Sequence, residues 1–236
     1  MRNYITFAGT DLRTFGLYVS GSGIYNAPTR AYEEVEIPGR DGLLLGHEKR
    51  LGNVAVTYPA FIYANFKENI GRLKTFLLSN IGYQRLEDTY YPEYFRMGAY
   101  YGGLEVEPTN KNNAGSFDLT FQCKPQKYLK TGQTAVSVAA DDVLTNPTEM
   151  PSKPLIRCYG TGSVAVNGTQ ITVLAAREYT DIDCDLYDAF YIHENRNAYI
   201  TFDSSDMHFP ELAPGDNAIS YTGFTAVQIT PRWYRL

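Results

Sequence analysis

The 236 residues hold only one tryptophan, three histidines and three cysteines. Cys123, Cys158 and Cys184 are odd in number and far apart, which excludes a complete disulfide frame and a compact thiolate zinc site. They read as buried or free thiols in a reducing compartment. His47, His193 and His208 show neither H-x-x-x-H nor H-x-H spacing, so each reads as a surface or packing residue. The 21 Lys and Arg never cluster and are outnumbered by 26 Asp and Glu, a net charge of −5. A chain without a basic face cannot replace the condensed counterions of a duplex, so no specific nucleic-acid binding is expected. No apolar run approaches the roughly 18 residues of a membrane span, and Met1 to Ile5 carry no apolar signal core, so no membrane partner is expected and synthesis in a cytoplasm is.

Catalytic signatures are missing as well. Gly160-Thr161-Gly162 has no third glycine and no following helix, so it is a turn and not a dinucleotide fingerprint. Neither a G-x-S-x-G elbow nor a P-loop occurs. Asp181, Asp183 and Asp185 alternate, which in a strand puts them on one face. A solvated face and a calcium site both fit that pattern, although the glycine turn of an EF-hand loop is absent. Asn167-Gly168-Thr169 matches a glycosylation acceptor only formally; Asn-Gly is the tip of a tight hairpin. The reading is a protein with no catalytic residues, no cofactor and no metal.

What is present is aromatic and β-prone. Tyrosine numbers 20 and phenylalanine 12, within a chain that is 44% hydrophobic and 20% charged. Rings that bury area while a hydroxyl stays wet suit half-buried strands and protein contacts. Short strands are predicted around Tyr4–Phe7, Gly16–Val19 and Tyr32–Ile37. The turn Pro38–Gly42 follows, then Leu43–Leu45, and Asn53–Tyr63 is a run interrupted by Pro59. A helix is predicted over about 66–81, with Asn65 and Glu68 as a capping box and Gly82 as terminator. Its stripe of Phe66, Ile70, Leu73 and Leu77 must face either its own sheet or a neighbouring subunit. Tyr90, Tyr91, Tyr94, Phe95, Tyr100 and Tyr101 crowd one segment, and Phe117–Cys123 alternates as a half-solvated strand. Residues 136–153, with Asp141-Asp142, Asn146-Pro147 and Pro151, read as a linker. The domains are then 1–135, a β domain with the helix, and 154–236, an all-β sandwich.

Three segments together resemble the distal tail (Dit) family of siphovirus phages and prophages. The first is Ile37-Pro38-Gly39-Arg40-Asp41-Gly42, followed by leucines. The second is Phe121-Gln122-Cys123-Lys124-Pro125 with Tyr128 after it. The third runs through Pro210, Leu212, Pro214, Gly215 and Asn217, with Pro231-Arg232-Trp233 closing the chain. The resemblance implies a mainly β fold: an N-terminal β-sandwich-like domain with one helix, then a galectin-like β-sandwich. It implies a virion protein of the phage tail tip, a hexameric ring formed by residues 1–135. The ring would join the tail tube protein to a hub or tail-fibre protein and carry receptor-binding protein. Arg40 and Asp41 would pair locally across a tight turn or reach a neighbouring subunit. A second reading stays open: a carbohydrate-binding module for host cell-wall glycans, using exposed aromatics of the C-terminal domain, where Trp233 is the only indole. A glycan hydrolase is a third.

Overall fold

The computed structural model describes residues 3–20, 25–203 and 207–236, with backbone alone for 47–49. The sequence readings of Met1-Arg2 and of the His47 side chain lie outside the described residues. Two compact units follow one another, Met1–Lys127 with Leu236 and then Tyr128–Arg235. The fold is mainly β with one α-helix.

The first unit contains β1 (Ile5–Phe7), β2 (Thr10–Asp11), β3 (Leu17–Val19), β4 (Arg30–Glu36), β5 (Leu43–Leu51), β6 (Val54–Ile62), α1 (Phe66–Ser79), β7 (Gln84–Asp88), β8 (Tyr94–Ala99), β9 (Glu107–Thr109) and β10 (Ala114–Leu129). Its main sheet has the order β2-β1-β7-β8-β10-β6-β3, with β9 paired to β10 as well. Strict alternation makes the centre of this sheet. Val54, Val56, Tyr58, Ala60 and Ile62 point inward from β6, and Phe117, Leu119, Phe121 and Cys123 from β10. Phe121 is the hub, with Phe7 at 4.8 Å and Tyr100 at 5.9 Å between ring centroids.

Pro59 does not interrupt β6 as expected. Its carbonyl accepts from the Ser20 N–H at 2.8 Å, and its missing N–H would point to that same side, where β3 has already ended. The ladder to β10, on the other side of the strand, runs unbroken through the Asp118–Pro59 pair.

The helix stripe settles on its own unit: Phe66, Leu73 and Leu77 are buried in this core and Ile70 packs against it. Gly115 makes the seating possible, because a Cβ there would lie 2.5 Å from the Phe66 ring. The capping box is not formed. Asn65 has a left-handed backbone (φ 49°), which turns its side chain away from the first-turn N–H groups, and it makes no side-chain cap bond. The helix also ends before Gly82: the Asn80 Nδ2 and Ser79 Oγ donate to the Phe76 carbonyl at 2.7 and 3.0 Å.

The second unit is a sandwich of two antiparallel sheets. Its strands are β11 (Val136–Val138), β12 (Asp141–Asn146), β13 (Leu155–Tyr159), β14 (Gly162–Val166), β15 (Thr169–Val173), β16 (Tyr179–Asp183), β17 (Asp188–Tyr191), β18 (Glu194–Asn195), β19 (Ile200–Phe202), β20 (Gly215–Thr222) and β21 (Ala226–Thr230). The sheet orders are β11-β21-β13-β16-β17-β18 and β12-β20-β14-β15-β19. Ile156, Cys158, Val164, Ile171, Ile182, Ile219, Val227 and Ile229 fill the space between them. Asn167 and Gly168, both at positive φ, turn β14 into β15 as their identity predicts.

The linker reading of 136–153 is corrected here. β11 pairs with β21 and β12 with β20, so each becomes an edge strand of one sheet. Edge strands tolerate the Asp and Asn residues that made this stretch look unstructured, because one face and one side stay wet.

Candidate interaction surface

The motif Gly39-Arg40-Asp41-Gly42 forms the turn between β4 and β5. Gly39 and Gly42 sit at φ 81° and 83°, and the Arg40 N–H donates to the Ile37 carbonyl at 3.2 Å. Among the described residues these two strands form a sheet of their own, paired only with each other. Tyr32, Val35, Leu43, Leu44 and Leu45 are 40 to 53% exposed on it, beside exposed Glu33, Glu34 and Glu36. A two-stranded ribbon has no interior in which to bury such residues. The Arg40 and Asp41 side chains are exposed, and no ion pair or side-chain hydrogen bond of either is found among the described residues, so the expected local pairing is not made.

The tyrosine-rich segment divides. Tyr100 is buried in the core, while Tyr101 is 72% exposed. Tyr90, Tyr91 and Tyr94 are half-buried, and the Lys127 Nζ lies 4.5 Å from the Tyr91 ring centroid and 5.3 Å from that of Tyr94. Asp88 ties the segment down: its Oδ1 accepts from the Tyr90 and Tyr91 N–H groups, both at 2.9 Å, and its Oδ2 accepts from the Tyr58 hydroxyl at 2.9 Å. Burial and the Asp88 charge push the Tyr58 phenol well above its ordinary range.

Most of the remaining motif positions are buried or half-buried; Pro214 and Gly215 are exposed. Phe121 and Cys123 are fully buried on β10, with Pro125 and Tyr128 half-buried further along it. Pro210, Leu212, Pro214, Gly215, Asn217, Pro231, Arg232 and Trp233 all lie in the second unit. Asn217 is fully buried; its Nδ2 donates to the carbonyls of Leu144, Ala213 and Gly215 at 3.1, 2.9 and 2.8 Å, and its Oδ1 accepts from the Asn167 Nδ2 at 2.7 Å. The Leu212 and Ser152 backbones exchange two bonds, and the Ser152 Oγ donates to the Pro231 carbonyl at 2.8 Å. Trp233 is 5% exposed and lies on Gly132, where a Cβ would come within 2.5 Å of the Trp233 nitrogen. Its indole faces the core.

The aspartate ladder is not a solvated face. Asp181 and Asp183 are 3% and 4% exposed, and each meets an arginine fork. Arg157 reaches Asp181 at 2.7 and 2.8 Å, and Arg232 reaches Asp183 at the same two distances. Burial raises the Asp183 carboxyl, but the Arg232 guanidinium and the N–H groups of Leu186 and Asp185 outweigh it and hold the group below the usual range. Asp185 alone stays exposed. The partners lie 24 and 49 residues away in sequence, so spacing within the ladder carried no sign of them.

Among the described residues no group of three or more His, Cys, Asp and Glu could hold a metal ion. The three thiols are free and buried, and burial pushes Cys123 and Cys158 up to about 12 and Cys184 higher still. No helix among the described residues is long and apolar enough to cross a membrane.

No protein-family model and no curated protein matches the chain. Solved structures do. The chain is similar over 97% of its length, and 98% of the other's, to the Dit protein (gp 19.1) of phage SPP1, described as a paradigm of the hub adsorption apparatus of phages infecting Gram-positive bacteria; the TM-score is 0.75 at 16% identity. Chains of the phage P2 baseplate in its activated conformation, with Ca and with Sr, match at TM-scores of 0.52 and 0.51, 14% identity and 97% of each chain. The fold predicted from the motif resemblance is therefore the fold found: this chain has the architecture of a phage Dit protein from end to end.

Proposed function

We propose that this chain is a tail-tip adaptor of a long-tailed phage or prophage, carried in the virion and acting without catalysis. The observation that carries the reading is the β4–β5 hairpin on a chain that follows a Dit protein over its whole length. The hairpin presents apolar side chains from a ribbon whose strands, among the described residues, pair only with each other, and such a surface suits the heterologous contact a closed ring makes on each subunit. The first unit then makes the hexamer, and the ring joins the tail tube protein to a hub or fibre protein and carries receptor-binding protein. Buried ion pairs and locked turns make the second unit a rigid body suited to display around that ring. Burial of Trp233 removes the one indole on which a wall glycan would have stacked. Light scattering on the purified full chain tests the reading. A hexameric mass is expected at micromolar concentration; a monomer at every concentration, alone and with its tail tube protein, overturns it.

A further inference from the structure

The turn between β14 and β15 carries Asn167-Gly168. In this dipeptide the side-chain amide is most easily attacked by the following backbone nitrogen, because glycine puts no side chain in the way. Both residues are exposed to solvent. Yet the Asn167 amide is held at both ends. Its Nδ2 donates to the Asn217 Oδ1 at 2.7 Å, and its Oδ1 accepts from the Ala218 N–H at 3.0 Å. The Asn167 N–H also donates to the Ala218 carbonyl at 2.9 Å, which ties the turn itself to β20. Asn217 has no freedom to exchange its two ends, since its Nδ2 already faces the carbonyls of Leu144, Ala213 and Gly215. Its Oδ1 is thereby committed to Asn167.

In deamidation the Gly168 nitrogen loses its proton and bonds to the Asn167 Cγ, the bond to Nδ2 breaks, and ammonia leaves. Water then opens the five-membered imide to aspartate or, with an extra methylene in the backbone, to isoaspartate. The attack requires the Asn167 amide carbon to swing from β20 onto its own chain, so both side-chain bonds must break first. We propose that Asn167 is a latent deamidation site, closed by the Asn217 and Ala218 contacts and reacting only from an opened turn. The reaction is also one-way. An aspartate at 167 carries an oxygen where Nδ2 stood, and that oxygen meets the Asn217 Oδ1, acceptor against acceptor. The fully buried Asn217 loses a donor that nothing else in the turn replaces. The inference concerns the second unit alone and stands independently of any ring.

The test incubates the full chain in mildly alkaline buffer, folded and in urea, and follows position 167 by peptide mass mapping. An opening that must break two side-chain hydrogen bonds should make the folded chain react about tenfold or more slowly than the unfolded one. Asn217→Ala should restore much of the unfolded rate at Asn167 while Asn197, in the same unit, keeps its parental rate. That second reading separates a local opening from general unfolding. Should the variant fail to fold, Asn167→Asp, which is the reaction product, is expected to melt about 4 °C or more below the parent at neutral pH. Equal rates at Asn167 in the folded and unfolded chain would overturn the proposal. So would a folded Asn217→Ala chain as resistant as the parent, or an Asn167→Asp chain as heat-stable as the parent.

Discussion

The β4–β5 hairpin and the closing segment of the second unit both carry motif residues built on turns, yet their physics is opposite. Around Gly39 and Gly42 only backbone geometry is specified, and the flanking apolar side chains stay in water. Around Gly215 and Arg232 two polar side chains are satisfied inside their own unit: Asn217 makes four side-chain bonds, and Arg232 forks onto Asp183. A motif that saturates its own hydrogen bonds stabilises the chain that carries it. A motif that leaves apolar surface open is shaped for something else to cover.

The largest effect should come from breaking the closed region. Arg232→Met leaves the Asp183 carboxylate, 4% exposed, without its counter-charge. The expected loss is about 3 kcal/mol, at the lower end for a broken buried pair because two N–H groups still solvate the anion. Urea unfolding of parent and variant measures it, and a loss under about 0.5 kcal/mol would show that the pair is not a stabilising lock.

The same pair should give the second unit an acid limb. Asp183 titrates in the folded state below its ordinary value of 3.8. Its contribution is therefore fully present above that value and is lost as pH falls through the folded-state value. Asp183→Asn should flatten the fall in stability below about pH 4 while leaving the neutral-pH curve's shape unchanged. Parallel acid limbs in parent and variant would move the effect to other carboxylates.

How legible all this was depended on the range of the interaction. Alternation within β6 and β10 and the stripe of α1 are local patterns, and each lies where the sequence puts it. Failures came from partners far along the chain. Asp181 and Asp183 looked solvated because their arginines stand 24 and 49 residues off, and β12 looked like linker because β20, its partner, begins at Gly215. Asn65 failed differently: its spacing to Glu68 suited a cap, but the chain entering from β6 adopts a left-handed turn there. No neighbouring residue announces that. The Tyr90–Tyr101 crowding pointed to a contact surface, whereas packing on Lys127 and Phe121 accounts for much of it.

The smallest effect on stability should be the most telling for the hairpin. Leu44→Asp places a charge at a position that is 53% exposed, opposite Val35, which is 40% exposed. Nothing in the first unit's core is disturbed, since neither residue belongs to it. The expected change in unfolding free energy is therefore within about 0.5 kcal/mol. The comparison has to be made at protein concentrations where parent and variant have the same mass, because assembly would itself stabilise the parent. At higher concentration the two should part: the parent gains mass and the variant does not, since a buried carboxylate facing leucines in an interface is strongly disfavoured. A variant that lost about 2 kcal/mol in the dilute monomer would mean that the hairpin packs within its own chain, and the contrast between the two regions would fall.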